Sequence, residues 1–218
     1  MPDHLICMGE YFLDLFAAHG IPRNKMSIGG ALHFPRTNDD VERKVSSNSK
    51  KIALCSTSIK LSESLDLAFK SFKAVQSVAG IRLIVNFHPV VDEQFKQTLK
   101  SFLKDVAEDY FDCIEFSEAP SRSLLSKVDI LLYNTSGAAF DALNAGKPAV
   151  FVPVDGNISY NKVPSGLAVE VRNTKDFQDV LMSVVKDENT GIFATQNLEI
   201  EKCLGTLNPE IFVSAVTK

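Results

Sequence analysis

From residue 51 onward, short unbroken apolar runs alternate with segments whose apolar residues recur at helical spacing. "KIALCSTS" reads as a strand ending in small residues. "SESLDLAFKSFKAVQSV" then places Leu65, Ala68, Phe69, Phe72 and Val75 on one helical face. "IRLIVNFHP" is the next strand, and "DEQFKQTLKSFLKDV" a helix with Phe95, Leu99, Phe102, Leu103 and Val106 on one face. Asp92 and Glu93 at its start suit the positive end of a helix dipole. "FDCIEFS" predicts a third strand and "SRSLLSKV" a short helix. "DILLYN", "KPAVFVPV" and "GLAVEVR" predict three more strands, with the helix "GAAFDALNA" after the first of these. "TKDFQDVLMSVVKD" and the tail read as helical.

Continuous apolar strands, rather than polar-apolar alternation, belong to parallel sheets covered on both faces. The expected fold is therefore α/β: a Rossmann-like parallel sheet of about six strands with helices on both faces, plus an N-terminal βα unit. That unit is "DHLICMG" followed by "EYFLDLFAAHG", with a further strand in "IPRNKMSIGG". The expected organisation is residues 1–33 as the terminal βα unit of a mostly missing N-terminal domain, 34–50 as a connector, and 51–218 as the nucleotide-binding domain. A lone βα unit cannot bury both its faces, so it either packs on the main domain or ends a domain lying outside this chain.

Composition narrows the function classes. With 218 residues, 45% hydrophobic and 23% charged, an ordinary globular core is within reach. A net charge of −4 argues against nucleic-acid binding by counterion release. No apolar run reaches the roughly 18 residues of a membrane span. The N-terminus carries acids and no basic segment, so it does not read as a signal peptide, and the chain is expected to be cytoplasmic. Cys7, Cys55, Cys113 and Cys203 form no C-x-x-C pair, and three lie in strand-like stretches. They read as reduced core thiols, with no metal site expected. The N-x-S sequons at Asn134 and Asn157 read as chance matches.

In a parallel α/β sheet, ligands bind beyond the C-terminal strand ends. The loops expected there carry Ser, Thr, His and Gly. In "NTSGAAFDALNAGKP", Ser136 is a candidate N-cap, Gly137 lets an anion approach the backbone, and Gly146 before Lys147-Pro148 is a stop. A plain capped core helix satisfies the same pattern. His88, at a strand end and followed by Pro89, is placed to donate to a phosphate oxygen, or else is a satisfied structural histidine. Asp141, one turn inside the helix, is either a ribose acceptor or an ordinary exposed helical acid.

Thr135-Ser136…Asp141-Ala142-Leu143…Gly146-Lys147-Pro148 resembles the nucleotide-binding segment of glycosyltransferases of the B fold. His88-Pro89 upstream of a Thr-Ser pair is similar to the HP and serine motifs of the CMP/CDP-using branch: bacterial sialyltransferases, capsule polysaccharide transferases and CDP-glycerol glycerophosphotransferases. The resemblance covers most of residues 1–175. It implies that His88 and the Thr135-Ser136-Gly137 loop bind donor phosphates and that Asp141, where the family usually has Glu, binds the ribose. It implies that the loop at 116–119, Glu118 included, lies along the base through backbone groups. The implied ligand is a nucleotide-sugar donor, CMP/CDP type before UDP, with no other cofactor, serving surface polysaccharide or glycoconjugate synthesis. The implied partner is the missing N-terminal half or an acceptor-binding domain, which would hold the catalytic base; no catalytic residue is assigned in this chain, and by itself it is expected to be inactive in transfer. A sugar-nucleotide 2-epimerase shares the fold and is the second enzyme reading. A non-catalytic interaction domain is the third.

Overall fold

A computed structural model describes residues 3–31, 50–135, 137–155, 161, 163–164, 166–186, 200, 202–205 and 208–211. The proposed connector at 34–50 lies outside these except for its last residue.

The main sheet consists of β3 (Lys51–Ser56), β4 (Ile81–Asn86), β5 (Ile114–Ser117), β6 (Ile130–Tyr133), β7 (Ala149–Phe151) and β8 (Val169–Glu170). All five pairings are parallel, and the order is β5-β4-β3-β6-β7-β8. The expected architecture is thus the one found. Side chains alternate through the sheet, so β3 sends Ala53 and Cys55 into one core and Leu54 into another. The first core lies under α2 (Leu61–Gln76), α3 (Glu93–Ala107) and α6 (Thr174–Val185). The second lies under α4 (Ser121–Leu124) and α5 (Ala138–Asn144), and takes in Ile200, Cys203 and Leu204 from the chain's end.

The helices form where their caps and apolar spacing direct. Asp92 caps α3 by accepting from the Phe95 N–H at 2.8 Å, and Asn173 caps α6 by accepting from the Asp176 N–H at 2.9 Å. The buried face of α2 is rotated from the expected one. Ser64, Leu67, Ala68, Ser71, Phe72, Ala74 and Val75 are buried there, while Leu65 and Phe69 are only partly so. Small Ser64, Ala68 and Ser71 let the helix lie close on the sheet. α5 ends as predicted: Gly146 takes φ +65°, its N–H donates to Leu143 O at 3.0 Å, and the Lys147 N–H donates to Ala142 O at 2.8 Å.

The thiols need one correction. Cys7, Cys55 and Cys203 are buried as expected, but Cys113 is exposed, because a 3-10 turn over Glu108–Cys113 delays β5 to Ile114.

The first residues form β1 (Leu5–Cys7), α1 (Glu10–Ala18) and β2 (Met26–Ile28), with β1 and β2 as a separate parallel pair. The unit packs on the main domain: Met8 and Phe12 lie against its second core. The chain's end clamps it. Gly205 N–H donates to Met8 O at 2.8 Å, and Ala31 N–H donates to Gly205 O at 3.2 Å. A side chain at Gly9 would run into the carbonyls of Lys202 and Cys203, so this closure requires glycine.

Candidate functional site

The strand register places one row of residues across the C-terminal edge of the sheet. Ser117 pairs with Asn86, Asn86 with Ser56, Ser56 with Tyr133, and Tyr133 with Phe151. Helices α2 and α3 follow β3 and β4 on one face, whereas α4 and α5 lie on the other. The order in which strands are added to the sheet therefore reverses between β3 and β6, and the loops leaving these two strands turn to opposite faces. A crevice opens at such a point in parallel α/β sheets.

The floor of the crevice carries two adjacent hydrogen-bonded groups, joined through the chain at Thr57-Ser58. The Thr57 hydroxyl donates to Asn86 O at 3.0 Å and accepts from the His88 N–H at 3.2 Å. Beside it, the Ser58 N–H donates to Ser64 Oγ at 3.0 Å, and the Ser58 hydroxyl donates to Glu63 Oε2 at 2.9 Å. Lys60 Nζ reaches Glu63 Oε1 at 2.8 Å. From the far side, Asn134 Nδ2 donates to Glu63 O at 3.0 Å, and the Thr135 hydroxyl lies 3.5 Å from Glu63 Oε2. Asn134 is fully buried, with Ser58 and Glu63 nearly so. The Lys60 hydrogen bond and charge, together with the Ser58 and Thr135 hydroxyls, hold the Glu63 carboxyl below the usual carboxylate range against the opposing effect of its burial. Burying polar groups is tolerable only when they are paired, and here they are.

Five of the six sequence-predicted site residues are among those described. His88 joins the first group through its backbone N–H, while its ring Nδ1 accepts from the Val90 N–H at 3.4 Å, and Thr135 joins the second group through its hydroxyl. Gly137 takes the cap position of α5, so the helix starts one residue later than expected. Nothing lies within 4 Å of where a Gly137 side chain would project, so its backbone faces open space. Ser136 lies outside the described residues. Asp141 sits in the first turn of α5 with its carboxylate held by Arg122 of α4, Nε at 2.9 Å and Nη2 at 2.6 Å. Glu118 stands apart: its exposed carboxylate pairs with Lys96 at 2.7 Å, which raises the Lys96 pKa above its ordinary value.

The loop at 116–119 is shaped from below. The buried Asn86 amide, assigned the orientation that satisfies both its ends, donates to the carbonyls of Ser117 at 3.1 Å and Ala119 at 3.0 Å and accepts from the Ser121 hydroxyl at 2.9 Å. Phe116 beneath the loop stacks on Phe87 at 5.9 Å between ring centroids, and Lys100 Nζ lies 5.5 Å from the Phe87 ring.

Sequence reasoning placed Ser58, Lys60, Asn86 and Asn134 in the loops of this edge without giving them a role, and missed Glu63. The sequon at Asn134 reads as a chance match, and its burial agrees with that. The signal available was positional: small polar residues directly after an apolar strand, with an acid in the first turn of the helix that follows.

No protein-family model matches the chain, and no curated protein matches its sequence. Solved structures do match. MnaA from S. aureus in complex with UDP is 11% identical with a TM-score of 0.65, over 99% of this chain and 59% of that one. UDP-GlcNAc 2-epimerase from Neisseria meningitidis bound to UDP-GlcNAc is 14% identical with a TM-score of 0.65, over 99% of this chain and 62% of that one. The lipopolysaccharide outer core galactosyltransferase WaaB is 15% identical with a TM-score of 0.57, over 99% and 62%. The chain thus spans about three fifths of the length of the structures it matches. At these identities the likeness is one of fold alone: a Rossmann-like parallel α/β domain shared with these structures. The MnaA and Neisseria epimerase structures hold uridine nucleotides, where the sequence resemblance pointed first to cytidine.

Proposed function

We propose that this chain binds the nucleoside diphosphate of a pyrimidine nucleotide-sugar in the crevice between β3 and β6, as the donor-binding part of a glycosyltransferase. The observation that carries the reading is a pair of adjacent hydrogen-bonded groups, one joining Thr57 to Asn86 and the His88 N–H, the other joining Ser58 and Glu63 to Asn134 and Thr135. They fix the two loops that flank the point where the strand order reverses. A fold needs no such investment of buried polar groups at a strand edge, whereas a phosphate site requires rigid donors.

In this reading the His88 ring and the backbone N–H groups at the start of α5, Gly137 included, take the phosphates, with Ser136 supplying a hydroxyl. Lys60, at the rim on the second group, adds positive charge. Asp141 takes the ribose. The base lies along residues 116–119. The carbonyls of Ser117 and Ala119 are engaged by Asn86, so the Glu118 peptide is the part of that loop left to read the base. The Glu118 side chain, turned to Lys96, has no role in the contact.

Uridine before cytidine is favoured by the ligands of the fold neighbours. The 2-epimerase reading is supported by the same neighbours and uses the same nucleotide contacts; the two differ in the residues that act on the sugar. Those residues, the acceptor and the catalytic base belong in this proposal to a partner domain beyond the chain, so the chain by itself binds donor and does not transfer it.

Calorimetric titration of UDP, CDP, UMP and CMP tests the reading. A diphosphate binding more tightly than its monophosphate, with affinity reduced in His88→Ala, supports it. No heat from any of the four at millimolar concentration overturns it.

A further inference from the structure

The structure points to Arg122 as a positioning residue that gives the nucleotide site its selectivity for ribose, an inference that rests on the donor-site reading above. Arg122 is the second residue of α4, directly after the loop assigned to the base, and Asp141 lies in the first turn of α5. The guanidinium does not fork across the carboxylate. Nε at 2.9 Å and Nη2 at 2.6 Å both donate to the same oxygen, Oδ1. Among the described residues no hydrogen bond reaches Oδ2. The carboxylate is one-fifth exposed, so it is neither sealed in nor free to swing.

This geometry divides the work of one carboxylate. Oδ1 is an anchor, and Oδ2 is an acceptor whose position is set in advance. An aspartate has one methylene fewer than the glutamate the sequence motif usually carries, so its reach toward a ribose diol is shorter and its direction matters more. With two charge-assisted bonds from Arg122, the side chain is held in one rotamer before ligand arrives, and binding need not order it. The same pair ties α4 to α5, fixing the base loop relative to the ribose acceptor. A ribose whose 2′- or 3′-hydroxyl donates to Oδ2 gains a hydrogen bond to a charged acceptor, and a dideoxyribose does not.

The test is calorimetric titration of UDP and 2′,3′-dideoxy-UDP into the wild-type chain, Arg122→Gln, Arg122→Lys and Asp141→Asn, with a thermal melt of each. Wild type should prefer UDP by about tenfold to a hundredfold, the worth of a hydrogen bond to a charged group. Arg122→Gln should bring that ratio near one through loss of UDP affinity, with dideoxy-UDP affinity nearly unchanged. Arg122→Lys should restore part of it. Arg122 is about half exposed, so the variants should melt close to wild type. An unchanged ratio in Arg122→Gln beside a reduced one in Asp141→Asn overturns the role of Arg122. An unchanged ratio in both shows that the ribose is held elsewhere and overturns it too. Failure of both nucleotides to bind wild type defeats the donor-site reading, and this inference with it.

Discussion

Asn134 and Glu63 are 71 positions apart, yet the Asn134 amide donates to the Glu63 main-chain oxygen at 3.0 Å. That bond joins the loop after β6 to the first turn of α2 across the point where the sheet reverses. The other end of the Asn134 amide accepts from the Thr135 N–H at 2.8 Å, which turns Thr135 toward the crevice. One buried amide thereby holds both walls.

Replacing Asn134 should cost stability as well as affinity. Asn134→Ala removes the bond to the Glu63 carbonyl, which keeps its helical place, and the bond from the part-buried Thr135 N–H, a loss of about 1–3 kcal/mol for the two. The midpoint of urea denaturation should fall accordingly with an unchanged m-value. A midpoint within error of wild type would show that the network contributes nothing to holding the loops.

Glu63 makes a pH-dependent contribution whose sign is fixed by its lowered pKa. The folded state favours the ionised form, so the stabilisation is complete above the unfolded carboxylate value of about 4.3 and is lost as pH falls through the lower folded value. The Tm difference between wild type and Glu63→Gln should be positive and flat from near neutrality down to about pH 5, then narrow at lower pH. A difference that grows on acidification would contradict the assignment.

The four thiols should react unequally. Cys113 is exposed, Cys7 and Cys203 are buried, and burial pushes the Cys55 thiol up to about 12. Native protein at mild alkaline pH should release one equivalent of thionitrobenzoate quickly from Ellman's reagent. Cys113→Ser should abolish the fast phase. A fast phase that survives this substitution would show that the buried thiols are accessible.

Lys70 anchors the loop after β7, since its ammonium reaches Pro153 O at 2.7 Å and the carboxylates of Asp66 and Asp155 at 2.8 Å. Lys70→Met keeps the stem and removes the charge. It should lower stability by about 1–2 kcal/mol, the scale of hydrogen bonds to charged groups, and raise proteolytic cleavage near Asp155. Unaltered cleavage would remove the anchor role.

The sequence made the sheet legible because its strands are buried on both faces and so read as apolar runs. Knowing the strand ends was enough to put His88, Thr135, Gly137 and Asp141 on one edge. What it concealed was pairing. Glu63 looks like any acid at a helix start, and nothing local announces that Ser58, Lys60 and Thr135 converge on it. Asp141 reads in the sequence as a ribose acceptor or an exposed helical acid, and its contact with Arg122 stays hidden because it depends on how α4 packs against α5. Cys113 was misplaced because a 3-10 turn and a strand start carry the same apolar signal. The face of α2 was rotated because Ser64 and Ser71 are buried for their small size, which a hydrophobic pattern does not register.

The most direct test of the central claim is an amide NMR map of the labelled chain titrated with UDP. The largest shifts should fall on His88, Thr135, Gly137 and Glu118, across the C-terminal ends of β3 to β6, with α3 and α6 undisturbed. Shifts clustered at the opposite edge of the sheet, or none at millimolar UDP, would contradict the account.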